Sequence, residues 1–205
     1  MTKHIPTAHE VETFSGEFVD TKNPNGRTIK IEDIAHALAN TCRYGGHCQR
    51  FYSVAEHAVF VSRRLERKGH SRSVQLAGLH HDDAEAYLGD IPRPMKSLLG
   101  ATYRNLSDRM DAAICAGPLF QFNVRPEDFH TAEVKNADNW ALFVEARFLL
   151  PSQGKHWFEG DQGASLWGLD AQPKRIVTPD YWYGGVTPAA ARSLFLTRHK
   201  ELTTT

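Results

Sequence analysis

The stretch GLHHDDAEAYLGD, residues 78–90, places two imidazoles against two carboxylates, with a third carboxylate at Glu85. Imidazole and carboxylate side by side can ligate a divalent transition metal or pass a proton. Two pairings compete, His81 with Asp82 and His80 with Asp83. A helix turns by about 100° per residue, which assigns faces. On a continuous helix over 76–88, Leu76, Leu79, Ala84, Tyr87 and Leu88 share one broad arc. His80 lies within that arc and Asp83 on its edge. His81, Asp82 and Glu85 lie on the other side together with Gly78, which leaves room there. The spacing therefore predicts His81 and Asp82 as the reactive pair. Taken alone, a polar helical arc is most often a solvated face.

Two other segments add ligand-type side chains. His57 flanks an apolar face formed by Val54, Ala58, Val61 and Leu65. Asp138 and Glu145 interrupt the apolar face of Val134, Ala141, Leu142, Phe148 and Leu149. A buried carboxylate needs a cation or donors, because leaving it unpaired costs several kcal/mol. For Glu145 the expected answer is structural, an Arg partner or a cap. For His57, His81, Asp82 and Asp138 it is a shared divalent ion: Co, Mn, Zn, Fe or Ni, with Mg as a candidate second ion. Arg43 offers a bidentate grip on phosphate, and Gly45 and Gly46 beside it suit close approach of a ligand. His47 and Arg50 could orient the same loop. Cys42 and Cys48 with His47 make a poor zinc spacing.

The elements that must hold these groups read as helices. IKIEDIAHALANTC has helical apolar spacing. Ser53 and Glu56 form a capping-box pattern for a helix ending at about Lys68, with Gly69 as its stop. Ser71 or Ser73 opens the helix that carries the HHDD string, and the prolines of GDIPRP end it. Further helices are predicted over LLGATYRNLSDRMDAAICAG, from about 126 to 150, and over TPAAARSLFLTRHKEL. Residues 14–28 read as an irregular lead-in, with turn chemistry at NPNG. Residues 151–187 read as an irregular insertion, with room for a short hairpin. The expected architecture is all-α in one domain: a core over about 14–150, the insertion, and a closing helix over about 188–202.

The 205 residues suffice for one substantial core. Lys plus Arg and Asp plus Glu both total 24, so neither a broad nucleic-acid surface nor a stable nucleic-acid complex is expected. No apolar run approaches a membrane span and MTKHIPTAHE has no apolar leader core, so no membrane partner is expected. Cys42, Cys48 and Cys115 read as reduced thiols of a cytosolic protein.

Three strings carry a resemblance: YSVAEHA at 52–58, LHHDDAEAYLGDIPRP at 79–94 and VKNADNWALFVEAR at 134–147. Over roughly 14–150 the chain resembles the HD-domain phosphohydrolase superfamily. It is similar to the group with bacterial 5'-deoxynucleotidases and phage deoxynucleoside triphosphate hydrolases. The resemblance implies an HD-domain helical bundle. It also implies His57, His81, Asp82 and Asp138 as metal ligands, Glu85 as acid/base and Asp90 as a second acidic residue near the sugar or leaving group. Arg43 matches a phosphate-holding arginine and Tyr44 the aromatic residue that packs on the nucleoside. Lys96 and Lys135 fall where phage members bind a longer phosphate chain. The best-known members carry Trp where Tyr44 stands, which leaves base selectivity, dATP preference included, open. Lys96 and Lys135 tilt the expected substrate towards a deoxynucleoside triphosphate, with the monophosphate as the alternative. A non-catalytic nucleotide-binding module and a hydrolase of cyclic nucleotides or alarmones are the rivals. Self-association into a homo-oligomer is implied by the resemblance alone.

Overall fold

The computed structural model describes residues 5–155, 182 and 184–204. The chain is mostly helical, in agreement with the all-α expectation. Its elements are β1 (Glu10–Glu12), β2 (Phe18–Asp20), α1 (Ile31–Asn40), α2 (Val54–Arg67), α3 (Arg72–His80), α4 (Glu85–Leu88), α5 (Arg93–Ala116), α6 (Ala132–Leu149) and α7 (Pro188–Thr203). No described helix is long and apolar enough to cross a membrane. The suggested hairpin within 151–187 lies outside the described residues.

Helix α2 is the axis of the fold. Ser53 accepts from the Glu56 amide, and the Glu56 carboxylate accepts from the Ser53 amide, the predicted capping box. Every residue from Val54 to Ser62 is buried, not only the face with Val54, Ala58 and Val61. The reason is that α1, α3, α6 and α7 all pack around it. A helix enclosed on all sides loses its solvent face, so His57 is fully buried rather than flanking a stripe. Buried Arg198 of α7 ties three helices together, donating to Ser62 at 3.0 Å, Glu66 at 3.2 Å and Gln75 at 2.7 Å.

The helix expected over 76–88 is broken. Helix α3 stops at His80, and the amides of Asp83, Glu85 and Ala86 donate to His80, Asp82 and Asp83. Each of these bonds spans three residues, so the chain tightens to a 3-10-like turn before α4. Gly78 also differs from expectation. A side chain there would strike Leu65 of α2, so Gly78 lets α3 close on α2 and opens no space at the site.

The other differences are local. Residues 14–28 contain β2, which pairs antiparallel with β1 in the register Val11 with Val19. This hairpin is anchored on α1, where Asp33 accepts from Thr13 and from both the amide and hydroxyl of Ser15. The segment 126–150 is a 3-10 turn over Pro126–His130 followed by α6, restarted by Thr131, whose side chain accepts from the Val134 amide. Helix α5 begins at Arg93, just after Pro92, and bends at Gly100, whose φ is 58°.

Candidate metal centre

Three helical segments deliver the predicted ligand set to one place. His57 comes from the first turns of α2, His81 and Asp82 from the tight turn after α3, and Asp138 from the middle of α6. The His57 Nε2 lies 3.1 Å from Asp138 Oδ1 and 3.5 Å from Asp82 Oδ2. The His81 Nε2 lies 3.3 Å from Asp82 Oδ2 and 3.9 Å from Asp138 Oδ1. Ligands about 2.1 Å from one ion stand roughly 3.0–3.4 Å apart, close to these separations. Both Nε2 atoms are buried without a hydrogen-bond partner among the described residues. Two orphaned imidazole nitrogens facing two carboxylates fit a divalent cation.

The opposite nitrogen of each ring is fixed. His57 Nδ1 lies 2.7 Å from Glu145 Oε1, and His81 Nδ1 lies 2.9 Å from the Gly78 carbonyl. With Nδ1–H donating in each case, the Nε2 lone pair turns towards the cluster. Burial and the Arg43 guanidinium oppose a charge on His57, but Glu145 and Asp138 outweigh them and push it up to about 10. Burial opposes the Asp138 charge; His57, His81 and Arg43 prevail and hold that carboxyl below the usual range. A divalent cation would satisfy the same groups with the His57 proton released.

Glu145 is fully buried and was expected to meet an Arg. It does: Arg43 Nε donates to Oε2 at 3.2 Å. Sequence reasoning missed the rest of its role. The hydroxyl of Tyr44 donates to Oε2 at 3.2 Å, that of Tyr52 to Oε1 at 3.2 Å, and Trp182 Nε1 donates to the Tyr52 hydroxyl at 3.1 Å. The only signal for this network was Glu145 on an apolar face. Arg43 is buried, and its Nη1 lies 3.6 Å from Asp82 Oδ2. Tyr44 takes φ 58°, uncommon outside glycine, and points its hydroxyl at Glu145. The loop that carries both is clasped by the Arg43 amide on the Tyr52 carbonyl and the Val54 amide on the Thr41 carbonyl. Cys42 Sγ and Cys48 Sγ lie 3.5 Å apart across it as free thiols.

Glu85 is buried beside the cluster. Its Oε1 accepts from Lys96 Nζ at 2.7 Å, and its Oε2 has no partner among the described residues. Burial, then the Asp82 charge, push its carboxyl up to about 8 against the pull of Lys96. Asp90 is half-buried, and its charge acts on both Glu85 and Arg43. Lys96 is thus engaged with Glu85, and Lys135 is exposed on α6 one turn before Asp138. The rival pair, His80 and Asp83, is fully buried on the core side, with His80 Nδ1 2.6 Å from Asp83 Oδ2 and its Nε2 2.9 Å from His199 Nδ1.

Fold and site together define a mostly helical protein with a His/Asp cluster that could hold a metal ion. The chain belongs to the family of the uncharacterized protein YfdR of Escherichia coli (strain K12), to which it is 33% identical over 192 residues, 94% of each chain. It is also 40% identical over 104 residues to an uncharacterized protein of Rhodobacter capsulatus, covering 49% of this chain and 53% of that one. No family model matches the sequence.

Proposed function

We propose that this protein is a metal-dependent phosphohydrolase of the HD-domain type acting on deoxynucleotides. One observation carries the reading. Four ligand-type side chains converge with both Nε2 atoms orphaned, and a buried Glu85 with an unpartnered Oε2 stands beside them. Binding alone requires no such carboxyl, which favours an enzyme over a regulatory module.

When bound by His57, His81, Asp82 and Asp138, a divalent cation supplies charge against a phosphoryl oxygen and lowers the pKa of water. The residues of this chain do the rest. Glu85 Oε2 is free to take the proton of an attacking water as the new P–O bond forms. Lys96 holds the other oxygen of Glu85 and so orients it. The proton taken up by Glu85 can pass to the ester oxygen that leaves as the old P–O bond breaks, and the charge of Asp90, which acts on Glu85, stands near that path. Arg43, already paired with Glu145 and Asp82, adds positive charge at the phosphate side.

The phosphate chain is read as short. Lys96 is one of the two candidates for a distal phosphate, and its pairing with Glu85 withdraws it, leaving only the exposed Lys135. The monophosphate therefore comes first, and the triphosphate second. The test is a panel of deoxynucleoside and ribonucleoside mono- and triphosphates and cyclic nucleotides, with Co, Mn, Mg and Zn. The expected result is phosphate release from deoxynucleoside monophosphates that is lost in Asp82→Ala together with bound metal. Undiminished stoichiometric metal in Asp82→Ala, or turnover of none of these compounds by the parent, overturns the reading.

A further inference from the structure

A second group of ligand-type side chains lies outside this centre. Asp108 and Asp111 stand one turn apart on α5, and His130 ends the 3-10 turn that leads into Thr131. That turn packs on α5. One oxygen from each aspartate and one imidazole nitrogen thereby come within 4.8 Å of one another. Asp108 and His130 are exposed, whereas Asp111 is 3% exposed. The cluster is anchored on one side and open to water on the other.

Exposed acidic pairs are common on helices and signify nothing alone. Asp111 is the distinguishing observation. It is a nearly water-free carboxylate whose Oδ1 has no hydrogen-bond partner among the described residues. A carboxylate buried in this way demands a donor or a cation. Burial, followed by the charges of Asp83 and Asp82, pushes its carboxyl up to about 8 against the pull of Lys96, so the charged form is under-compensated locally. Burial and Lys135 press His130 below its ordinary value, so at neutral pH its ring is neutral and offers a lone pair.

The geometry points to a second divalent-cation site, held by Asp108, Asp111 and His130 and completed by water on the open side. Two carboxylates with one imidazole suit Mn and Zn. The phosphohydrolase reading is not needed for this inference. The two centres are nonetheless within electrostatic reach, because the charge of Asp82 acts on both Asp111 and His130.

The test counts ions on the metal-free full chain, titrated calorimetrically with Mn and separately with Zn. With at least one of these metals the parent should take up two equivalents, the second more weakly. His130→Ala and Asp111→Asn should each keep one, with at least a tenfold loss of affinity for the other. His57→Ala should lose the first centre and keep the second. Crystals soaked in Mn or Zn should show anomalous density between Asp108, Asp111 and His130. A parent that binds only equivalents retained in full by His130→Ala overturns the proposal, whereas a single equivalent that His130→Ala loses and His57→Ala keeps supports it and tells against the first centre instead. Because His130 is exposed, that variant decides the question even if Asp111→Asn fails to fold.

Discussion

His57 Nδ1 and Glu145 Oε1 lie 2.7 Å apart in the interior, bridging α2 and α6 across the floor of the candidate centre. Glu145 stays ionised there. Burial opposes its charge, but His57 and Arg43 outweigh burial and hold the carboxyl below its ordinary value. The pair aims the His57 Nε2 at Asp138 and Asp82. Glu145→Gln keeps the shape and removes the charge. Loss of such a supporting carboxylate typically costs about 10–100-fold in metal affinity. Calorimetric titration of the variant with Co or Zn checks this, and parental affinity would show that Glu145 serves only to neutralise Arg43.

Glu85 and Lys96 make a separable prediction. Glu85→Gln should bind metal as the parent does and lose turnover by about 10²-fold or more. Lys96 lowers the Glu85 pKa, so Lys96→Ala should move it further up. If Glu85 acts as the base, the rising limb of the kcat–pH profile then shifts to higher pH with KM little changed. A Lys96 that binds substrate phosphate would give the opposite pattern, a raised KM and an unmoved limb.

The helices were legible because their signals are local. The capping box at Ser53, the stop at Gly69 and the prolines before α5 all act within a few residues. The side preference of the HHDD string was legible too, since even a tightened turn keeps His80 and Asp83 inward and His81 and Asp82 towards His57. The roles of Gly78, Arg43 and Tyr44 were not. Each is set by a partner distant in sequence: Leu65 for Gly78, and Glu145 for the other two. The hairpin escaped notice because three-residue strands carry almost no periodicity.

His199 gives a pH dependence of stability with a definite sign. Burial, then the neighbouring His80, lower its pKa from 6.5 to about 4. Between those values the unfolded chain binds the proton and the folded chain does not. This contribution is intact above about pH 6.5 and is lost as pH falls towards about 4. His199→Asn keeps a donor towards His80 and has nothing to titrate. Urea unfolding of both proteins from pH 7 to pH 4 should show the parent losing stability more steeply. Parallel slopes would mean that His199 takes up its proton as readily in the folded chain as in the unfolded one.

A close approach of α3 to α2 supplies the last expectation. Gly78 faces α2, and a methyl group there would meet the Leu65 side chain at less than van der Waals separation. Leu65 is itself 1% exposed and has little space to yield into. In an exposed helix interior Gly→Ala is stabilising by up to about 1 kcal/mol. Here overpacking should exceed that gain, for a net loss of about 1–3 kcal/mol. The shift also reaches the site, because the Gly78 carbonyl accepts from His81 Nδ1. Gly78→Ala should therefore lower both the denaturation midpoint and metal affinity. Leu65→Ala in the same chain should restore part of the affinity by making room. If the double variant binds metal no better than Gly78→Ala alone, the contact with Leu65 is not what requires glycine at this position.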